Sequence, residues 1–290
     1  HAKVHKQKSL RDDIRRINTV FLSKWGHRSV RSITRDEVSE LHQKIGEHAP
    51  YEANRTLAQL SKMFELAKTW GYLDENLANP ARRIQKFKEK KRDRWVTPEE
   101  LPKLAEKIDE ESNIYVRAAL WLYLLTGVRK SELLKAKWEH VDFNRRTLYL
   151  PDTKAGRDYY VALNAESIAI INEIPRLENN PYILPGKREG QHLVNIEKPW
   201  RRVRKEAGIE EVRLHDLRRT VGSWLAQSGN SLPVIQKALN HSTITATMVY
   251  ARMAEDPVRK ALDEHGKNIM TVIRRSKEGN VIRLERAEEN

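Results

Sequence analysis

The stretch RLHDLRRTVGSW, residues 213–224, places a histidine and two arginines at the start of a segment with helical periodicity. His215 and Arg218 are three residues apart, so on a helix they project from one face about one turn apart. The apolar side of the same helix consists of Leu214, Leu217 and Val221. A desolvated arginine binds phosphate with two parallel hydrogen bonds, so the stretch predicts a buried helix that carries an anion site. A structural pairing with carboxylates is the alternative.

The composition narrows the classes of protein. A length of 290 residues with 39% apolar residues favours two domains, each with its own core. The absence of cysteine excludes disulfides and thiolate chemistry within this sequence and suits a reducing compartment. The 54 lysines and arginines exceed the 40 acidic residues and leave a net charge of +14, which attracts a polyanion. Nucleic acid is therefore the leading partner, and a merely soluble basic surface is the alternative.

No membrane span or export signal is recognisable. The longest apolar run is AALWLYLL, residues 118–125, and its eight residues are too few to cross a bilayer. The chain begins with His1 and shows no signal-peptide pattern. We therefore expect a fragment of a longer cytoplasmic protein.

Positive charge concentrates in residues 81–94, ARRIQKFKEKKRDR, where eight basic side chains face two acidic ones. Pro80 favours a helix stop before this segment, and Thr97, Pro98 and Glu100 predict a capped helix after it. We predict an interdomain linker over residues 81–95 that lies along DNA phosphates, with a solvated linker as the alternative. Its candidate DNA-binding residues are Arg82, Arg83, Lys86, Lys88, Lys90, Lys91 and Arg92. A second basic cluster, KPWRRVRK, adds Arg201 and Arg202.

Residues 1–80 predict a small helical domain. Thr34 and Glu37 form a capping box, and apolar residues recur at helical spacing on both sides of it. These apolar residues are Ile14, Ile17, Phe21, Leu22, Val38, Leu41, Ile45, Leu57, Leu60, Phe64 and Ala67. Helix breaks are expected at Gly26, Pro50 and Gly71.

Residues 96–267 predict a larger domain that is mostly helical. A buried helix over residues 116–125 is expected to end at Gly127 in a left-handed cap. The short alternating runs VDF, TLYL and YYVAL then predict a small antiparallel sheet. We expect residues 268–290 to form a tail, either a hairpin or a flexible segment that packs on a neighbouring protomer. The expected fold class is mainly α, an α+β protein with a helical bundle domain followed by a catalytic domain.

Three further stretches carry candidate chemistry. Arg129 in TGVRKSELL, residues 126–134, can face a pocket from a short connection, with Glu132 placed to fix nearby donors. Lys154 is expected at a hairpin turn, where an ammonium group can donate a proton or bind phosphate. His241 and Tyr250 lie nine residues apart in LNHSTITATMVYARM. Each residue taken singly has a structural alternative. Arg129 could form a surface salt bridge, Lys154 could be a solvated turn lysine, and Tyr250 could be a packed aromatic ring.

Together the candidates fit one reaction, the attack of a phenol on a phosphodiester. Negative charge develops on the non-bridging oxygens, so the site needs cationic donors, a base, and an acid for the leaving oxygen. Two arginines, two histidines, a lysine and a tyrosine supply these groups. We expect neither a metal nor a cofactor, because the guanidinium groups take over the neutralisation that a two-metal nuclease assigns to ions.

The sequence resembles the tyrosine recombinases, the phage integrase family, through TGVRKSELL, TKAGR, HDLRRT and LNHSTITATMVY in this order. The resemblance runs from about Ser9 to Val258, and KQKSLRDDIRRI with ITRDEV is similar to the core-binding domain of integrases that carry a further arm-binding domain. One departure is LNH where LGH is common in the family. Asn240 tolerates a left-handed backbone, so the departure has little weight.

The resemblance implies a role for each residue. Tyr250 would attack the scissile phosphate and leave a 3′-phosphotyrosyl link, with Lys154 as the acid for the departing 5′-hydroxyl. Arg129, Arg218 and His241 would hold the phosphate oxygens. His215 would act as a base or as a further donor. Glu132 would position the donors of the pocket by accepting a hydrogen bond, without contacting the phosphate itself.

The resemblance also implies partners. The enzyme would act as a homotetramer on paired double-stranded DNA core sites, with possible help from DNA-bending proteins, and would integrate or excise a mobile element. It would need no ATP, metal or membrane. A type IB topoisomerase-like relaxing enzyme and a non-catalytic DNA-binding protein are alternatives. A metal-dependent nuclease that uses His215, Asp216 and His241 is a third, which the small number of clustered carboxylates disfavours.

Overall fold

The computed structural model describes residues 10–90, 92–151 and 158–277. It consists of two compact units that divide between Arg92 and Asp93, within the segment predicted as a linker. The site candidates Lys91 and Lys154 lie outside the described residues. Among the described residues, no helix is both long enough and apolar enough to cross a membrane.

The N-terminal unit is helical, as the sequence predicted. Helix α1 (Leu10–Arg16) continues through a π-helical turn (Ile17–Phe21) into α2 (Leu22–Trp25), and a 3-10 turn (Val30–Ser32) leads to α3 (Arg35–Gly46) and α4 (Pro50–Thr69). The predicted capping box starts α3, because the Thr34 hydroxyl accepts from the Glu37 amide while the Glu37 carboxylate accepts from the Thr34 amide. The core of this unit is formed by Phe21, Trp25, Val38, Leu41, Leu57, Leu60, Phe64, Leu73 and Ala81.

Residues 84–90 of the basic segment are anchored on the N-terminal unit. The Phe87 ring lies 4.7 Å from the His42 ring and occupies the space above Gly46, where a Cβ would come within 2.0 Å of it. The Asn54 side chain accepts from the Phe87 amide at 3.0 Å and donates to the Phe87 carbonyl at 2.9 Å. The exposed basic side chains of the segment are Arg82, Arg83, Lys86, Lys88 and Lys90.

The C-terminal unit is mostly helical with a three-stranded antiparallel sheet, which confirms the predicted fold class. Its helices are α5 (Leu101–Asp109), α6 (Ile114–Thr126), α7 (Lys130–Leu134), α8 (Ala165–Glu173), α9 (Glu197–Glu206), α10 (Leu214–Gln227), α11 (Leu232–Ala238), α12 (Ile244–Thr247) and α13 (Glu255–Lys277). Two 3-10 segments, Trp138–His140 and Met248–Ala254, precede the sheet and α13. The strands are β1 (Val141–Asp142), β2 (Thr147–Leu150) and β3 (Tyr159–Ala162), with Leu148 opposite Val161.

Helix α6 forms the centre of this unit and ends as predicted. Most of its residues are buried, and Gly127 after it has a φ of +61°, the left-handed region that glycine tolerates best. A Cβ at Gly127 would lie 2.8 Å from the Leu239 side chain. The C-terminal ends of α6 and α11 therefore lie close together, and Arg129 lies beside Asn240.

Two helix boundaries differ from the sequence-based expectation. The sequence predicted Thr97 as the cap and Pro98 in the first helical turn, whereas residues 98–100 form a turn and helix α5 begins at Leu101. The Thr97 amide still donates to the Glu100 carboxylate at 2.9 Å, as the predicted capping box requires. Helix α13 continues to Lys277, past the expected start of the tail at residue 268, and residues 278–290 lie outside the described residues.

We predict that Asn54→Ala frees the basic segment from the N-terminal unit. The substitution removes the partner of the Phe87 amide and carbonyl, so the free energy of unfolding of this unit should fall by about 2 kcal/mol. Hydrogen exchange of the Phe87 amide should accelerate in the same variant. Asn76→Ala changes an exposed asparagine of this unit and serves as the control. Equal exchange in both variants would contradict the anchoring.

Candidate active site

Two arginines bracket the turn that follows α11. Arg218 is 3% exposed, and its guanidinium donates to the carbonyl oxygens of Gly127 and Leu239. Arg129 donates to the Asn240 carbonyl at 2.7 Å and to the Glu132 carboxylate at 3.1 Å. The turn between these partners depends on Asn240, whose φ is +46°. The left-handed backbone expected at this position is therefore present.

The two guanidinium groups create a positive potential at this turn. Burial lowers the pKa of Arg218, and the charge of Arg129 lowers it further, yet an arginine stays protonated in a protein. Glu132 offsets one of the two charges, and the carbonyl oxygens contribute only dipoles. The remaining charge favours an anion with several oxygens, such as a phosphodiester.

His241 follows the turn directly and is held by α12. Its Nδ1 lies 2.9 Å from the hydroxyl of Thr247, which is itself fully buried. Burial lowers the pKa of His241 to about 4, with further contributions from the charges of Arg218 and Arg129. The ring is therefore neutral at neutral pH, and its Nε2 lies on the edge opposite Thr247.

Tyr250 is buried beside His241. Only 5% of the residue is exposed, and its ring is stacked on the His241 ring with 6.3 Å between the centroids and 7° between the planes. The ring also packs on α10 at Gly222, where a Cβ would lie 2.4 Å from the Tyr250 Cζ. Burial raises the pKa of the phenol, although the charges of Arg218 and Arg219 act in the opposite direction. The phenol is thus protonated at neutral pH.

His215 occupies the second position of α10 and keeps an exposed edge. Its Nδ1 lies 3.4 Å from the hydroxyl of Tyr123, a residue of α6 that is 1% exposed. Desolvation of its inner edge lowers the pKa of His215, and Arg218 and Arg219 lower it further. The two histidines of the site are therefore neutral rings beside cationic arginines.

Asp216 has a structural role at the start of α10. Its carboxylate accepts from the Arg213 amide at 2.8 Å and from Arg219 at 3.0 Å, and it is almost completely buried. Within residues 10–90, 92–151 and 158–277, no group of three His, Asp or Glu side chains is arranged to hold a metal ion. These contacts give no support to the metal-dependent nuclease.

The candidate DNA-binding residues of the C-terminal unit differ in their surroundings. Arg201 is exposed on α9, whereas Arg202 donates to the carboxylate of Glu111, whose side chain is 3% exposed. Arg202 therefore compensates a buried charge. In the N-terminal unit the exposed basic residues of segment 81–90 project from the surface, and Arg92 is half-buried.

Sequence reasoning missed three residues of the site. Tyr123 contacts His215, Gly222 leaves room for Tyr250, and Thr247 holds His241. An isolated glycine within a helical pattern was a signal for close packing at Gly222. Tyr123 was read only as part of an apolar run, although a tyrosine hydroxyl in such a run needs a partner.

The chain is similar in sequence to known proteins. The family model described as "Phage integrase family" matches residues 94–256. The integrase of Salmonella phage P22 is 27% identical over 197 residues, which cover 63% of this chain and 48% of that protein, so the chain spans about half of this relative. Tyrosine recombinase XerA of Pyrococcus furiosus is 25% identical over 256 residues, 86% of each chain.

Solved structures show the same fold. A lambda integrase tetramer bound to a Holliday junction superposes with a TM-score of 0.69 at 20% identity, over 84% of this chain and 72% of that one.

We predict that His241 makes the stability of the protein sensitive to acid. Its folded-state pKa of about 4 lies below the ordinary 6.5, so the unfolded chain binds the proton more tightly and stability falls as the pH drops from about 6.5 towards 4. His241→Gln should lose less in Tm than the wild type between pH 7 and pH 5 in thermal unfolding. His265→Gln on the exposed helix α13 is the control and should behave like the wild type. Equal losses in all three proteins would contradict the prediction.

Proposed function

The chain belongs to the phage integrase family, and we propose that it is a tyrosine site-specific recombinase that cuts and rejoins DNA strands to integrate or excise a mobile element. The observation that carries this proposal is the placement of Tyr250 against His241, beside two arginines that retain positive charge. A phenol in this position is a nucleophile next to a site for phosphate.

The reaction exchanges one phosphodiester for another. The Tyr250 oxygen attacks the scissile phosphorus, the bond to the 5′-oxygen breaks, and a 3′-phosphotyrosyl link forms. The leaving oxygen takes a proton and departs as a 5′-hydroxyl, with Lys154 as the proposed acid. A 5′-hydroxyl of the partner strand then reverses these steps and releases Tyr250. Bond energy is kept in the covalent link, so the cycle requires no ATP.

Arg129 and Arg218 stabilise the charge that develops on the non-bridging oxygens. Both are held before substrate binds, one by Asn240 and Glu132 and the other by the carbonyls at two helix ends. Donors that are fixed in advance need little reorganisation during the reaction, which is a large source of catalysis. His241 adds a neutral donor to the same phosphate.

The duplex would lie along the exposed basic residues of segment 81–90. Phe87 and Asn54 fix this segment, so Lys86, Lys88 and Lys90 project from an anchored backbone. Contacts between basic side chains and phosphates position the protein on DNA without recognising the base sequence. Arg82 and Arg83 extend the proposed surface of the N-terminal unit. In the C-terminal unit Arg201 is a further proposed phosphate contact, whereas Arg202 contributes less because Glu111 holds it.

Assembly on paired core sites is part of the proposal. The lambda integrase structure is a tetramer on a Holliday junction, and we assign this chain the same homotetrameric state on DNA. Helix α13 is charged but exposes an apolar row, as expected for a segment that packs on a neighbouring protomer. The row consists of Val258, Leu262, Ile269, Val272 and Ile273. Accessory DNA-bending proteins and a location at the nucleoid complete the proposed setting.

We predict that Tyr250 alone forms the covalent link to DNA. The protein is mixed in chelator with nicked fragments of DNA from its source, so that the leaving strand escapes, and denaturant-resistant adducts are measured. The wild type should form adducts, and Tyr250→Phe should form none because it lacks the nucleophilic oxygen. Tyr160→Phe removes an exposed tyrosine hydroxyl of the same unit and should retain them.

The other outcomes are equally informative. Adducts in Tyr250→Phe would assign the nucleophile to another residue. DNA binding by the wild type without any adduct would favour a non-catalytic DNA-binding protein. Relaxation of supercoiled DNA without strand exchange would favour the type IB topoisomerase-like enzyme.

We predict that Gly222→Ala impairs the reaction without unfolding the protein. The added Cβ overlaps the Tyr250 ring, so the phenol must move by roughly 1 Å, and such a shift can lower the adduct yield about a hundredfold. DNA affinity should change less than about twofold, since no contact of the proposed DNA surface is altered. Gly266→Ala, at a helical glycine of α13 with open space around it, should leave the yield unchanged. Equal yields in both variants would show that Gly222 does not hold Tyr250.

A further inference from the structure

Tyr123 places a buried hydroxyl against the active-site face of α10. The residue lies within the apolar helix α6, and its oxygen is 3.4 Å from Nδ1 of His215. None of the roles proposed above uses this contact. A buried hydroxyl needs a partner, so the contact also explains how a tyrosine is tolerated at the centre of the unit.

The phenolic proton of Tyr123 fixes the direction of this hydrogen bond. A buried O–H group needs an acceptor, and a phenol has a single proton to place. Among the described residues, Nδ1 of His215 is the acceptor within reach of this hydroxyl. The Tyr123 hydroxyl therefore donates and Nδ1 of His215 accepts.

The charge states of both partners agree with this direction. Burial raises the pKa of Tyr123 to about 12, so the phenol keeps its proton. Burial and the nearby arginines lower the pKa of His215, so the imidazole is neutral at neutral pH. A neutral imidazole that accepts at Nδ1 carries its proton at Nε2. This nitrogen lies across the ring from Tyr123.

We propose that Tyr123 is a positioning residue that fixes His215 as the Nε2–H tautomer, so that His215 donates to the scissile phosphate and does not serve as the base for Tyr250. The tautomer stands on the contacts alone, whereas the donor role rests on the proposed recombinase function. A neutral donor adds a hydrogen bond to the phosphate without placing a third cation beside Arg129 and Arg218.

Nitrogen NMR tests the tautomer without DNA. The wild type, labelled with 15N-histidine, is compared at pH 7.5 with Tyr123→Phe, and His215→Gln identifies the resonances of His215. We expect unprotonated Nδ1 and protonated Nε2 in the wild type. In Tyr123→Phe the two shifts should move towards each other, because the tautomers interconvert. Tyr115→Phe, on the same helix, should match the wild type.

Two results would overturn the tautomer assignment. One is a protonated Nδ1 in the wild type, and the other is a pair of His215 shifts that Tyr123→Phe leaves in place. Phenylalanine preserves the ring, and the histidine signals outside the site report whether the variant is folded. A failure of the wild type to cleave DNA would leave this measurement unaffected, so the two proposals fail separately.

Cleavage rates on a nicked core site test the donor role. A glutamine amide can donate to phosphate but cannot act as a base, so His215→Gln should stay within about tenfold of the wild type with the same pH profile. Tyr123→Phe should lower the rate up to about tenfold, and combining it with His215→Gln should add no further loss. A loss of about a hundredfold or more in His215→Gln would identify His215 as the base and overturn the donor role.

Discussion

The buried guanidinium of Arg218 is the constraint on which the active-site region depends. A charge removed from water is costly unless its donors are satisfied. Arg218 meets this requirement with the carbonyls of Gly127 and Leu239, the residues that follow α6 and α11. Carbonyls at helix C-termini have no intrahelical partner and carry partial negative charge, so they are suitable acceptors for a cation. One side chain of α10 therefore holds the ends of two other helices in place.

The same buried charge adds to the effect of burial on the protonation of the site. Burial is the largest influence on the pKa values of His215, His241 and Tyr250, and Arg218 is the second in each case. The charge of Arg218 acts with burial to favour neutral imidazoles, and it partly offsets the burial that keeps the phenol protonated. Burial and this cation together produce a site in which neutral rings lie beside charged arginines.

Local patterns in the sequence predicted most of the framework. The Thr34 capping box, the Gly127 cap, the hairpin and the shared face of His215 and Arg218 depend on neighbouring residues, so spacing and residue type suffice to predict them. The contacts that complete the site join distant positions. Tyr123 and His215 are 92 residues apart, and Arg202 and Glu111 are 91 apart. No periodic pattern in one sequence encodes such pairs, which explains why the roles of Tyr123 and Glu111 became evident only from the structure.

The arrangement around Tyr250 bears on how the phenol loses its proton. The His241 ring lies nearly parallel to the Tyr250 ring, with 6.3 Å between the centroids, and its Nδ1 is engaged by the Thr247 hydroxyl. Its pKa of about 4 also makes it a weak base. In the tautomer proposed above, His215 accepts from Tyr123 at Nδ1 and presents a donor on its other edge. The charges that lower the pKa of the phenol belong to Arg218 and Arg219. In the proposed mechanism, activation of Tyr250 therefore depends more on the stabilisation of a phenolate by fixed cations than on a histidine base.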